Sequence, residues 1–270
     1  MPFRKWAGNF TDQPAFPVEI APAYIPLGVW TRDYGRSLHG RYLNGAVANG
    51  TFSGTPNVSP AGRGYSHTVS TYEYFGNSKV LTAFPVVLAA RFVYASSVGF
   101  GTSAVGLGGT GGSNLMGIGC TQGGATFDVG FRIDGGSFVI INGPTKQVGL
   151  VNNVILIVRG SGNIALWWNG INYPSAATTG APTDLGQFTI GGTTRGGDVI
   201  VYAGTNISTS LAFYSNIDPG DAWARAWSLN PWTLFDNPRR RRIISGAAAG
   251  GGFIASSAYQ NGQVIGAGVF

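Results

Sequence analysis

From Asn152 to Asn169 the chain reads NNVILIVRGSGNIALWWN, two apolar runs parted by Gly160-Ser161-Gly162, and Asn169-Gly170 opens a further turn. Glycine reaches positive φ at no steric cost and asparagine tolerates it, so these turns between apolar runs predict antiparallel hairpins. Side chains alternate along a strand, which puts Val154, Leu156 and Val158 on one side and Ile155 and Ile157 on the other. Both sets are apolar, so this strand must be covered on both faces by the N-terminal segment, a helix or another subunit. In NIALWWNG, Ile164, Leu166 and Trp168 share a face assigned to the core. Trp167 then falls on the outer side, beneath a short helix that carries Trp223 and Trp227. That helix is predicted over 218–229, with Asp218 as its cap and Pro219 as its first residue.

Forty-four glycines among 270 residues fit many short strands joined by tight turns. Strand candidates recur from 36–43 to 207–214, separated by GTGGSN, TQGGAT, DGGS and TRGGD, which is the rhythm of a sandwich and not of βαβ units. Gly106-Leu107-Gly108-Gly109 and Gly191-Gly192 neither open a helix nor precede Lys-Ser/Thr, so they read as turns and not phosphate loops, although a strand candidate at 103–108 overlaps the first. Charged residues make up 10% of the chain, against about 25% in ordinary soluble domains. A surface so poor in charge suggests that much of it faces protein; a secreted β-protein with a Ser/Thr/Asn/Gly surface is the alternative.

Residues 1–35 carry Pro2, Pro14, Pro17, Pro22 and Pro26, too many for a helix or a central strand. With Trp6, Phe10 and Phe16 between them, they read as an extended arm with aromatic anchors. The sandwich is expected over 36–235. Residues 236–270 begin with Arg239, Arg240, Arg241 and Arg242, which account for most of the net charge of +6. The run suits contact with a neighbouring protein or simple solvation better than nucleic acid, because no aromatic side chains interleave with it. The uncharged tail beyond it, with Phe253, Tyr259 and Phe270 as anchors, is expected to add as strands to a sheet of this chain or of another copy.

The order of strand, NG hairpin, "IGG" strand, "AFYS" strand and NPWTLF closure resembles the concanavalin A-like (laminin-G-like) β-sandwich domains of tailed-bacteriophage virion proteins. The resemblance covers Asn152–Phe235 and extends back to about Arg36. It implies an all-β concanavalin A-like jelly-roll sandwich of two antiparallel sheets, with one short C-terminal helix and extended N- and C-terminal arms.

Sandwiches of this type include glycosidases, which need two carboxylates about 5–9.5 Å apart. Laminarinase-like enzymes of this fold place them as E-x-D-x-x-E. Glu19 and Glu73 are the chain's glutamates and neither sits in that pattern. Asp128 and Asp134 are too widely spaced, and a turn role suits Asp134. His39 and His67 lack a nucleophile elbow and metal-ligand spacing. Ca²⁺ through Asp198 or Asp128 is the one metal reading that the resemblance raises, and nothing in the sequence selects either; no cofactor is expected. Cys120, the only cysteine, rules out an internal disulfide and reads as a buried inert thiol.

The expectation is therefore a non-enzymatic structural component of a tailed-phage particle, a tail or head–tail appendage. Its partners would be other virion proteins and copies of itself, with host glycan as a further contact. A capsid decoration (cement) protein and a free carbohydrate-binding lectin are the alternatives. MPFRKWAGNF lacks the apolar core of a signal peptide and no run is long enough for a membrane helix, so synthesis in the host cytoplasm and residence in the virion are expected.

Overall fold

The computed structural model describes residues 27–31, 42–43, 51–53, 57–58, 65–66, 72–75, 80–94, 101–109, 114–120, 125–134, 136–195, 199–203, 207–231, 234, 259–260 and 263–264. They form two antiparallel sheets packed face to face. The larger sheet holds β1 (Gly28–Thr31), β2 (Tyr42–Leu43), β4 (Asn57–Val58), β5 (Tyr65–Ser66), β7 (Val86–Tyr94), β12 (Val151–Gly160), β13 (Asn163–Trp168), β14 (Ile171–Asn172) and β18 (Ile207–Ser215). Its main path runs β14-β13-β12-β7-β18-β1-β2. The second sheet holds β3 (Thr51–Ser53), β6 (Tyr72–Phe75), β8 (Thr102–Gly109), β9 (Leu115–Cys120), β10 (Thr126–Arg132), β11 (Val139–Thr145) and β15 (Leu185–Ile190). Its order is β11-β10-β9-β8-β15-β6-β3. Two further hairpins pair β16 (Gly192–Arg195) with β17 (Val199–Ala203) and β19 (Tyr259–Gln260) with β20 (Gln263–Val264). Among the described residues the α-helical segment is α1 (Asp221–Leu229). No described helix is long and apolar enough to cross a membrane.

The expected sandwich is thus present, and its central hairpin is built as its residues dictate. β12 pairs with β13 from Val154↔Trp168 to Gly160↔Asn163. Trp168 then faces Ile171 across Asn169-Gly170, whose φ values of 47° and 84° are those of a two-residue I′ turn. Val154, Leu156 and Val158 enter the core between the sheets, while Ile155 and Ile157 enter a second cluster on the outer face. The cover over that outer face is α1. Trp227, Ala224 and Leu234 pack with Phe213, Leu211 and Val29, and Trp167 lies against the same cluster. Phe213 meets Trp227 edge-on, with ring centroids 5.2 Å apart.

The structure changes three local readings. First, Gly28–Thr31, assigned to the arm, is a strand of the larger sheet, with Val29 opposite Phe213. It follows the last proline of that region, Pro26, so nothing bars it from a ladder. Second, Gly106–Gly109 is the end of β8 and not a turn. Gly106 and Gly108 allow β16 to cross the sheet face closely: a Cβ on Gly106 would collide with Thr193 and one on Gly108 with Thr194. Gly191, with φ 74°, does make a turn.

The third change concerns Asp218, which does not cap the helix. Gly220 holds the N-cap position without a side-chain hydrogen bond. Asp218 instead accepts the Gly220 N–H at 2.8 Å and pairs with Arg159 Nε at 2.6 Å, while Arg159 Nη2 reaches Asp221 at 2.7 Å. The β12 end is thereby clamped to the start of α1. The Arg159 hydrogen bond chiefly holds the Asp218 carboxyl below its ordinary value of 3.8, against the opposing pull of partial burial. A depressed folded-state pKa gives stability that is present above the unfolded value and lost as pH falls through the folded one. Asp218→Asn is therefore expected to lose about 0.5–1 kcal/mol at neutral pH, a modest amount because solvent screens the pair. Denaturant titrations should show that difference from the parent closing as the medium is acidified through the carboxylate range.

Candidate ligand-binding cleft

At the edge where β11 of one sheet approaches β13 and β14 of the other, the sandwich leaves a cleft of about 420 Å³. That volume is near the lower end of the ~300–1,000 Å³ typical of small-ligand sites. Its apolar side consists of Phe127, Pro144, Leu150 and Tyr173. Its polar side consists of Thr145, Gln147, Asn152 and Asn169.

The floor is rigid because it is part of the core. Phe127 is 1% exposed, stacks on Trp168 at 5.3 Å and meets Tyr94 at 5.0 Å, with Phe92 closing the aromatic cluster. Trp168 in turn donates its indole N–H to Asn152 Oδ1 at 3.0 Å. Asn152 Nδ2 donates to the Leu150 carbonyl at 3.1 Å, so a core tryptophan fixes the loop that bears Leu150. Gly149, at φ 80°, turns this loop and donates its N–H to the Tyr94 carbonyl.

The far wall is held equally firmly. Asn169, at the first position of the I′ turn, accepts the Asn153 N–H at 2.8 Å and donates to the Val151 carbonyl at 3.2 Å. Tyr173 follows the turn, donates its backbone N–H to Leu166, and packs half-buried against the core. The Thr145 hydroxyl, the Gln147 amide and the Tyr173 hydroxyl have no protein partner among the described residues. The cleft therefore sets groups that both donate and accept against an aromatic and aliphatic wall.

None of the anchors expected from sequence has a described side chain. Trp6, Phe10, Phe16, Arg239, Arg240, Arg241, Arg242, Phe253 and Phe270 lie outside the described residues. Tyr259 is described only as a backbone position in β19, paired with β20. Glu19, His39, His67 and Asp198 also lie outside, and the side chains of Glu73 and Cys120 are not among those described. Asp128 is buried in β10, and Asp134 occupies a turn at φ 44°. Among the described residues no group of three His, Cys, Asp or Glu side chains is placed to hold a metal ion.

No protein-family model and no curated protein matches the sequence. Solved structures do share its fold. Domain 4 of AbnA, an extracellular arabinanase from Geobacillus stearothermophilus solved with arabinotriose, is 12% identical at a TM-score of 0.52, covering 78% of this chain and 98% of that one. The ligand-binding domain of botulinum neurotoxin serotype D, solved with N-acetylneuraminic acid, is 6% identical at 0.55, covering 75% of this chain and 50% of that one. The receptor-binding domain of the C/D mosaic neurotoxin is also 6% identical, at 0.54, with the same coverage of 75% and 50%. This chain accordingly spans about half the length of the neurotoxin chains it matches. The fold is that of a concanavalin A-like, lectin-type β-sandwich.

Proposed function

We propose that this chain is a non-enzymatic, lectin-like carbohydrate-binding sandwich that serves as a structural component of a tailed-bacteriophage particle, as a tail or head–tail appendage. The cleft carries the binding reading. Its unengaged hydroxyl and amide groups match sugar hydroxyls, and Tyr173 and Leu150 match the apolar face of a sugar ring. The arabinotriose bound by the arabinanase domain, which is matched over 98% of its length, supports the same reading for the fold. No carboxylate is among the described lining residues, and glycoside hydrolysis needs two.

The virion setting rests on the sequence resemblance over Asn152–Phe235 and on a charge content of 10%, which suits a surface occupied by neighbours. Locating the chain in purified particles tests that setting. For the cleft, Tyr173→Ala is expected to weaken binding to any glycan recovered on an array by about tenfold, the worth of one lost contact of about 1.4 kcal/mol. Binding that Tyr173→Ala leaves intact would place the sugar elsewhere.

A further inference from the structure

We infer that the cleft selects an uncharged saccharide unit, one or two rings in size; this rests on the glycan reading above and names its ligand class. Among the described residues, no carboxylate, ammonium, guanidinium or imidazole lines the cleft. An anionic sugar entering the cleft would surrender water around its carboxylate without gaining a cation, a costly exchange in a partly enclosed site.

The cations whose side chains are described are placed elsewhere. Arg159 is committed to Asp218 and Asp221. Arg91 donates to Ser210 at 2.7 Å and Arg132 to the Gly136 carbonyl at 3.1 Å. Arg225 lies on the exposed face of α1. Lys146 is the nearest in sequence, between Thr145 and Gln147, yet it is not among the lining residues.

The unengaged groups point the same way. Thr145, Gln147 and Tyr173 each offer donor and acceptor capacity together, as sugar hydroxyls do, whereas a carboxylate only accepts. Asn152 and Asn169 already spend their amides on Trp168, Leu150, Val151 and Asn153, so they shape the wall and do not need to move. A volume of about 420 Å³ equals about fourteen waters at ~30 Å³ each, which fits a mono- or disaccharide unit.

The test is equilibrium binding of the full chain to an array of neutral, carboxylated and sulfated glycans, followed by calorimetry with the best neutral glycan and its sialylated counterpart. Neutral glycans are expected to bind, the sialylated counterpart at least about tenfold more weakly. Gln147→Ala should weaken the neutral interaction about tenfold, Lys146→Gln should leave it unchanged, and added salt should leave it unchanged because no charge pair is formed. Gln147 and Lys146 lie outside the core, so neither change threatens the fold. Binding confined to anionic glycans, or lost with Lys146→Gln, overturns this inference and leaves the glycan reading standing. Absence of any glycan binding overturns both.

Discussion

Trp168→Ala is expected to cost more stability than any other single side-chain truncation at this site. The indole is 0% exposed, stacks on Phe127 and meets Phe92 edge-on with centroids 6.0 Å apart. Gly143 lies so close beneath it that a Cβ there would be 2.7 Å from the ring. Removing such a side chain forfeits its transfer free energy and leaves a cavity, together about 3–5 kcal/mol. The loss extends further because Asn152 Oδ1, buried with its residue at 3% exposure, loses the indole donor, for about 1–3 kcal/mol more. Urea denaturation of the two proteins, compared at equal m-value, measures the sum. Trp168→Phe keeps one aromatic ring against Phe127 but removes the N–H together with part of the indole's packing, so its loss should fall between the parent and the alanine variant. Glycan binding should fall with stability in both variants, because the Asn152–Leu150 hydrogen bond and the Phe127 floor both depend on this ring. A loss below about 1 kcal/mol for the alanine variant would contradict the buried, stacked placement.

Much of the surrounding fold was legible because it depends on short-range rules. Alternation in VILIV required a two-sided cover, and α1 supplies it on the outer face. Asn169-Gly170 required a tight hairpin, and it forms one. Trp168 and Trp167 divided between core and outer layer by the same alternation. The Asp218 reading failed because a carboxylate before a helix has competing partners: Arg159, fifty-nine residues away in sequence, holds it instead. The cleft was illegible for a related reason. Phe127 comes from β10, Gln147 and Leu150 from the β11–β12 loop, and Tyr173 from the chain after β14, and only closure of the sandwich edge brings them together. No spacing in the sequence links them. The one local trace is the Asn169-Gly170 pair, which specifies the backbone of the turn and not the wall it builds.

The glycines of β8 make the strongest test of the layer that covers the second sheet, because the expected sign is opposite to the ordinary one. In an uncrowded strand, Gly→Ala gains about 0.5–1 kcal/mol by reducing the freedom of the unfolded chain. At Gly108 a Cβ would lie 2.1 Å from the Thr194 carbonyl oxygen and 2.8 Å from its carbon. Both are backbone atoms, so no side-chain rotation relieves the collision. The β16 strand cannot retreat freely either. Thr193 Oγ1 donates to Ser103 Oγ at 2.9 Å and Thr194 Oγ1 to Gln187 Oε1 at 2.7 Å, and all four residues are buried. A methyl group at Gly108 must therefore lift β16 and strand some of these hydroxyls, for an expected loss of about 3 kcal/mol. Gly160→Ala is the control: a Cβ there meets nothing within 4 Å, so its stability should stay within about 0.5 kcal/mol of the parent or rise. Thermal and denaturant melts of the two variants decide the matter by sign alone. If Gly108→Ala proves neutral or stabilising, β16 does not press on β8, and that face of the sheet would be open to a ligand in place of the edge cleft. If it destabilises as expected, that face of the sheet is filled by the chain's own hairpin, as the proposed binding at the sandwich edge requires.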